Sequence, residues 1–529
     1  MTTSQLPHGG EHFDVVIAGG GPVGLLLAAE LRLHGVPVLV LEQGRPGDGE
    51  PRTLALHART LETLDRRGLL ADFVRAQESL PGLADHRRAL DDGAARGHFA
   101  GLYRLGRHTG PRTEQPHGIA LPHHVLRELL ARRAGELGAV VRYGHEVTGL
   151  AQDEHGVTVH VRTPDGETTV RGGFLVGCDG GRSAVRKGAG IDFPGTGPSL
   201  VCRMGRGAIE VHGGGELPAG WRRTDSGWFM RMPDGRIAVS EWGVPEDLEG
   251  PATADELAGA IERVTGQRIT LTDVDFVTRF TDSARQASRY RAGRVLLAGD
   301  AAHIHYPAGG QGANLGLQDA VNLGWKLAAE CRGGAPAGLL DSYGAERHPV
   351  AARVLENTRA QVALMRPGPQ VDALRALFLE LMAMDEVNQY LSDIIHATGI
   401  RYEPAPGSHP LAGSFARDLP LTTASGPTRL AELLRRGRPL LVVFDGPGSE
   451  GSDAPAAAAG WADRVGIVRA AAEDPYAAAL LVRPDGYLAW ASDGPVDPGA
   501  VRAALTAWCG AEGGGAERTG TEAEEARAV

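Results

Sequence analysis

The most chemically suggestive part of the 529-residue chain lies between Leu297 and Leu327. An apolar run, Arg294-Val-Leu-Leu-Ala298, leads into Gly299-Asp300, then the loop Pro307-Ala-Gly-Gly-Gln-Gly312 and a long amphipathic segment. A carboxylate at the end of a strand can accept hydrogen bonds from the hydroxyls of a ribitol chain. A loop so rich in glycine lets backbone N–H groups approach a planar ring. The segment from about Ala313 to Ala329 reads as a helix whose positive end points to the same place. That end would stabilise negative charge on the pyrimidine side of a reduced flavin by roughly 1 kcal/mol. In the plainer reading, Leu315, Gln318, Asn322 and Trp325 only pack a helix with a glycine entry. Acid, loop and helix together favour a bound flavin.

A second group sits near the amino end. Gly19-Gly-Gly-Pro-Val-Gly24 follows the apolar run from Phe13 to Ala18 and precedes a helix from Leu25 to His34 that Gly35 ends. Val36 to Leu41 reads as the next strand, closed by Glu42, 18 residues after Gly24. In such a βαβ unit Gly19 permits the tight turn, Gly21 admits a pyrophosphate to the backbone, and Gly24 lets helix and strand pack closely. The helix start at Pro22 and Val23 then faces the phosphates. Glu42, with Gln43 beside it, is placed to accept a ribose hydroxyl. An acid there disfavours a 2′-phosphate, so the unit expects FAD or NAD rather than NADP. The Asp300 stretch decides for FAD.

Between these two groups lies Gly177-Cys-Asp-Gly-Gly-Arg-Ser-Ala-Val-Arg186. Taken alone, it reads equally as a capped helix start or as a nucleotide site. His303 and His305 form an HxH pair without a third ligand at useful spacing. No metal is expected, and the two rings read as satisfying backbone groups beside the cofactor.

These residues need a frame. The length allows two or three domains, and the net charge of −11, with no basic block, argues against nucleic acid. No apolar run reaches the roughly 18 residues of a membrane span. The four cysteines lie far apart, which reads as reduced thiols in a cytoplasmic protein. Residues 57–77 and 122–138 look helical, and 139–176 carry strand pairs turning at Asp153–Gly156 and Pro164–Gly166. Alternating strands over 190–290 suggest a sheet laid over the cofactor domain as the wall of a substrate pocket. Residues 341–400 read as helices broken at Arg366-Pro-Gly-Pro369, and 404–427 as a linker. A small α/β module follows, with a hairpin turn at Pro484-Asp-Gly486, then a tail expected to be disordered.

At this point the motifs add up to a resemblance. GGGPVG, GCDGGRSAVRK and GDAAHIHYPAGGQGANLGLQDAVNLGWKLA, in this order, resemble the FAD-dependent aromatic hydroxylases of the para-hydroxybenzoate hydroxylase type. Arg52-Thr-Leu-Ala-Leu-His-Ala-Arg-Thr-Leu-Glu62 narrows the likeness to the actinobacterial branch that oxygenates aromatic polyketides and rifamycins. The implied architecture is α/β: a Rossmann-like FAD-binding domain at 1–189 and 291–403, with connecting helices in the latter part. A substrate-binding sheet domain is inserted at 190–290, and a thioredoxin-like domain without CxxC occupies 404–510, ahead of a disordered tail at 511–529. Lacking CxxC, the third domain is expected to serve packing or a homodimer contact rather than redox chemistry.

The resemblance implies cofactor contacts at Gly19, Gly21, Pro22, Val23, Gly24, Glu42, Gln43, Arg52, Val147, Pro307, Asp300, Gly310, Gly312, Ala313 and Asn314. Asp179 and Arg182 fall in a motif shared between FAD and NADPH, and Arg52 also lies near the flavin's reactive edge, as the one catalytic candidate. Relatives carry Pro-Gln where this chain has Pro122-His123, which leaves a cofactor contact to His123. Phe99, Tyr103, Trp228, Met230 and Met232 are the substrate-facing candidates, although alternating apolar residues in a strand ordinarily face a core. The implied activity is NADPH-driven insertion of one oxygen atom from O₂ into a polycyclic aromatic polyketide through a C4a-(hydro)peroxyflavin, as a hydroxyl. Baeyer–Villiger oxygenation, an FAD oxidase or dehydrogenase without oxygen transfer, and a flavin protein that only sequesters an antibiotic are the other readings.

Overall fold

The computed structural model of the chain describes residues 13–45, 53–80, 97–106, 113–115, 118–232, 235–245, 250–445 and 453–513. Continuous β-branched runs predict strands buried on both faces, as in parallel sheets. Phe13–Ala18 accordingly lies between Val38–Glu42 and Gly166–Gly177. Val295–Leu297 and Val140–Tyr143 extend the sheet on either side, all in parallel. Val15, Val16, Ile17, Leu39, Val40, Leu175, Val176 and Leu296 are fully buried. Register aligns Ala18 with both Leu41 and Gly177, and Gly177 with Leu297. The three motifs that follow these residues therefore emerge along one edge, the carboxyl ends of the strands, where open α/β sheets bind ligands.

A five-stranded antiparallel sheet runs in the order Gly220–Arg223, Gly227–Arg231, Ile237–Trp242, Leu200–Val211, Ile269–Thr281. Its two faces go to different partners. Phe229, Ile237 and Val239 pack on Leu257, Ala260 and Ile261 of helix Ala254–Thr265. Trp228, Ala238, Leu200, Cys202 and Met204 face the other way, into a cluster with Phe99, Tyr306, Ala308, Leu364 and Met365. Helices Ser342–Met365, Pro369–Leu381 and Asp385–His396 stand beside that cluster, the first two separated where the Pro/Gly break was expected and the last two at Met382–Met384.

Three expectations change. The helix over 57–77 is two helices, Ala58–Asp65 and Leu70–Glu78. Gly68 (φ +70°) ends the first, with Leu69 N–H donating to Leu64 O at 2.8 Å and Gly68 N–H to Asp65 O at 2.8 Å, a left-handed glycine stop. Residues 404–427 are not all linker, because Pro420–Thr423 and Gly426–Arg429 form a hairpin on the edge of the carboxyl-terminal sheet. The long helix spans Gln311–Cys331, starting two residues before Ala313, because Gly310 (φ +64°) takes the cap position. Residues 514–529, most of the tail expected to be disordered, lie outside the described residues.

The carboxyl-terminal sheet is fastened to the rest by buried charge. Arg67 makes two bonds to Glu30 of helix Pro22–Leu33, at 2.6 and 2.8 Å, and donates to Pro484 O at 2.8 Å. Arg483 grips Glu346 at 2.6 and 2.7 Å and Asp485 at 3.0 and 2.5 Å. Its guanidinium also lies 4.8 Å from the Trp508 ring and 5.4 Å from that of Trp325. Lys326 Nζ donates to Glu346 at 2.7 Å. Burial alone would raise the Glu346 carboxyl, but Arg483 and Lys326 outweigh it and bring it down to about 2. Removing one member of such a buried set leaves the others uncompensated. Arg483→Ala is therefore expected to cost about 3–5 kcal/mol in a urea unfolding series, whereas an exposed control, Arg502→Ala, should change stability by less than about 0.5 kcal/mol.

Candidate functional site

The site is assembled at the carboxyl edge of the parallel sheet, and close approach explains its glycines. A Cβ on Gly24 would lie 2.0 Å from Gly19 O, and one on Gly19 would lie 2.3 Å from Cys178 O. Gly19 also has φ +105°. Gly21 differs, since nothing stands within 4 Å of its Cβ position. It caps helix Pro22–Leu33, which has no side-chain cap and no acid in its first turn. The first N–H groups of a helix have no partner within it. This helix thus offers uncapped donors beside an open space, the donor set a pyrophosphate needs.

Glu42 ends its strand with its carboxylate drawn back to the loop. Oε2 accepts from Gly20 N–H at 2.6 Å and Oε1 from Gly44 N–H at 2.7 Å. These two bonds fix the carboxylate at the sheet edge, and its remaining lone pairs are available to hydroxyls. Gln43 next to it is exposed. Val147 is buried in strand Glu146–Gln152, paired with Val161.

The second motif meets the first directly. A Cβ on Gly299 would touch Val23 Cγ2 at 3.0 Å, so the turn after Val295–Leu297 lies on the start of the amino-terminal helix. Asp300 does not end that strand but sits in a 3₁₀ turn, Gly299–Ala301. Its exposed carboxylate makes no hydrogen bond to the described residues, while Gly299 and Ala301 on either side are buried. The turn is held from below by Asp319. One oxygen of Asp319 accepts from Gly299 N–H at 3.2 Å and His303 Nε2 at 2.7 Å, and the other from Arg347 Nε at 2.8 Å. Asp319, His303 and Arg347 side chains are all 0% exposed. Burial would raise the Asp319 carboxyl, yet Arg347 and His303 outweigh it and hold it below the ordinary range.

His303 therefore serves a buried carboxylate, not a backbone group as its sequence suggested. His305 does satisfy the backbone, with Nδ1 donating to Tyr306 O at 2.8 Å. Burial lowers its pKa, which favours the neutral ring, and its enclosed Nε2 has no hydrogen-bond partner among the described residues. That nitrogen lies 3.5 Å from a Cβ placed on Gly312. Gly309 (φ +70°) and Gly310 (φ +64°) are consecutive left-handed residues that turn the chain from Pro307 into the long helix. Gly312 and Ala313 are its second and third residues, whose N–H groups have no partner within the helix, and Asn314 follows them.

The third motif resolves toward a capped helix start. Asp179 accepts from Ser183 Oγ at 2.5 Å and Val185 N–H at 3.1 Å, opening helix Ala184–Gly188. Arg182 is exposed. Arg186, buried over Phe193, donates to Ala301 O at 2.8 Å and Gly181 O at 2.9 Å, tying this motif to the Asp300 turn. In the sequence Arg186 stood only as the last residue of this motif. Arg52 lies outside the described residues. His123 opens helix His123–Glu136 just past Pro122, which pairs with Thr53.

Next to the glycine loop is the apolar cluster. Tyr306 and Ala308 belong to it, together with Phe99 and Trp228, with Met230 and Met232 packed against it. Phe99 stacks on Phe378 at 5.4 Å. Ser240 and Tyr306 hydroxyls, 3.5 Å apart, are polar points within this face. Tyr103 is not brought in: it is 46% exposed, its ring against His98.

Comparison with known proteins agrees with this geometry. Residues 12–358 match the FAD binding domain family, and residues 409–512 match the family described as aromatic-ring hydroxylase, C-terminal. The chain is 44% identical over 518 residues to the 12-dehydrotetracycline 5-monooxygenase/anhydrotetracycline 6-monooxygenase of Streptomyces rimosus, covering 94% of this chain and 99% of that one. It is 43% identical over 510 residues to the rifampicin monooxygenase of Streptomyces venezuelae, with the same coverage. The solved structure of OxyS anhydrotetracycline hydroxylase from Streptomyces rimosus superposes with a TM-score of 0.84 at 43% identity, over 95% of this chain and 100% of that chain.

Two outcomes are expected from the edge geometry. Gly21→Ala should leave the apoprotein's unfolding midpoint within about 1 °C yet weaken FAD binding at least tenfold by fluorescence titration, because the added methyl occupies ligand space. Gly24→Ala should instead destabilise the apoprotein. Asp319 carries stability that is present above the usual carboxylate value near 4 and lost as pH falls through its lower folded value. Asp319→Asn should cost about 3–5 kcal/mol at pH 7 and flatten the loss of stability in acid, followed by urea denaturation from pH 7 to 3.

Proposed function

Because the chain belongs to the FAD-dependent aromatic-ring monooxygenases, we propose that it hydroxylates a fused-ring aromatic polyketide, using NADPH as reductant and O₂ as oxygen source. The observation that carries this reading is the double duty of residues 306–310. Tyr306 and Ala308 are buried in the aromatic-lined cluster, while Gly309 and Gly310 make the left-handed loop ahead of the long helix. One short segment thus serves a cofactor on one side and an apolar ring system on the other.

Fit to the cofactor is supported by the donor set along the sheet edge. The uncapped helix start at Gly21, Pro22 and Val23 would take the pyrophosphate, Glu42 the ribose and Asp300 the ribitol. Gly312 and Ala313 would present first-turn N–H groups to the ring, with Asn314 holding the loop beside them, and the dipole of the long helix favours negative charge there. FAD bound in this cradle supplies electron transfer from NADPH and activation of O₂. The chain's own contribution is orientation, charge stabilisation and exclusion of water.

Phe99, Trp228, Met230 and Met232 would flank the substrate, in a face whose polar points, Ser240 and Tyr306, can fix its oxygens. Burial holds the Tyr306 phenol well above its ordinary pKa, so it keeps its proton and can donate. The neutral His305 ring can accept a proton in a hydrogen bond at Nε2.

The reading is tested by incubating the FAD-loaded protein with NADPH, ¹⁸O₂ and a panel of anhydrotetracycline-like and angucycline-like aromatics. A product heavier by one labelled oxygen is expected. An oxygenated product without the label, or NADPH turned over to hydrogen peroxide alone with every fused-ring aromatic in the panel, would sink the proposal.

A further inference from the structure

The segment from Thr53 to Glu62 is fastened to the glycine loop. Strand Thr53–Leu56 pairs with Ile119–Pro122, and Ala55 O accepts from Asn314 Nδ2 at 2.8 Å. Asn314 Oδ1 accepts from His57 N–H at 2.8 Å, and its Nδ2 also donates to Gly310 O at 2.9 Å. The His57 ring then reaches across the turn, with Nε2 2.7 Å from Gly309 O. A carbonyl oxygen only accepts, so Nε2 must carry the proton. His57 is 8% exposed, and its ring stands edge-on to His396 of helix Asp385–His396 at 5.0 Å. A Cβ on Gly310 would lie 3.5 Å from His57 Nε2, so the imidazole and the loop are in contact as well as hydrogen-bonded.

We propose that His57 is a positioning residue that fixes the loop at Gly309 and Gly310 and, through it, the environment of the flavin ring. The inference rests on the reading of this loop as flavin-facing. Two consecutive left-handed glycines are the freest backbone in the site. Left alone, they would let the N–H groups of the following helix turn swing away from the ring. The carbonyl of Gly309 is held by the imidazole and that of Gly310 by Asn314, so the two peptide planes that flank Gly310 are both pinned. Donors held in place cost no reorganisation when charge develops on the ring. Loss of the His57 bond should therefore weaken the reduced form more than the oxidised one.

The test pairs two side chains of similar shape. His57→Gln keeps an N–H donor near the position of Nε2, and His57→Met removes it. For the Met variant we expect a dissociation constant for FAD at least tenfold higher by fluorescence quenching. We also expect a tenfold loss in preference for the reduced flavin, which is about 30 mV more negative for a two-electron couple. The Gln variant should stay within twofold of wild type on both measures, with the apoprotein's thermal midpoint as a check on folding.

A Met variant that matches wild type in affinity and potential overturns the proposal, and so does a Gln variant as impaired as Met. Should the Met variant fail to fold, ¹⁵N spectra of the unmodified holoenzyme decide, because a His57 ring protonated only at Nδ1 is incompatible with the bond. Failure of wild type itself to bind FAD would instead fall on the underlying reading of the site, and the inference would go with it.

Discussion

The carboxylate of Asp319 is the constraint on which the site's geometry depends. It lies in the middle of helix Gln311–Cys331, wholly enclosed, where an unpaired charge would cost several kcal/mol. Three donors from three separate segments make it tolerable: the Gly299 backbone, His303 and Arg347. Because the carboxylate needs all three, the turn bearing Asp300, the strand leading to the glycine loop and helix Ser342–Met365 are brought to fixed places around it. Arg347 carries the constraint further by donating to Leu315 O at 3.1 Å, one turn before Asp319. Packing alone is forgiving of small shifts, whereas hydrogen bonds around a buried charge are directional.

Much of the cofactor side was legible before any coordinates, because its requirements are written locally. A turn, a close approach and an acid at a strand end each need one residue type at one spacing, as at Gly19, Gly24 and Glu42. The glycine loop and its helix were legible for the same reason, although Gly310 as the cap moved the helix start to Gln311. What was not legible depended on partners distant in sequence. Asp319 meets Gly299 across 20 residues and His57 meets Gly309 across 252. A signal existed for the first: Gln318, Asp319 and Asn322 interrupt an otherwise apolar helix, and buried polar groups imply partners. Nothing local reveals that Arg67 will reach the carboxyl-terminal sheet, or that Gly68 must break a helix to let it. On the substrate side, alternation placed Trp228 and Met230 on one strand face, but not which of two packed faces looks toward the cofactor loop. Tyr103 shows the limit of that reasoning, since a short hairpin turned it outward.

The long helix is buried over most of its length, and its two halves answer to different partners. Near its start Gly312 lies against His305, Asn314 ties the glycine loop to His57, and Asp319 holds the Gly299 turn. Farther along, Asn322 and Lys326 join Glu346, Arg483 and Asp485 in a second enclosed set of charges. The carboxyl-terminal module carries one cysteine, Cys509, and it supplies the charge that lets this helix remain inside. The same sheet reaches the amino-terminal cofactor helix through Arg67 and Glu30. Its place in the molecule is that of a buttress behind the cofactor cradle.

That arrangement has a temporal side. Chains fold from the amino end as they leave the ribosome, at about 5–20 residues per second. The βαβ unit at residues 13–42 emerges first, whereas Glu346, which meets Lys326 of the long helix, gains its two bonds from Arg483 only once that residue has been made. The charged set around the second half of the long helix is consequently completed only when residues 483–485 have been added, which makes its last bonds a late event in synthesis.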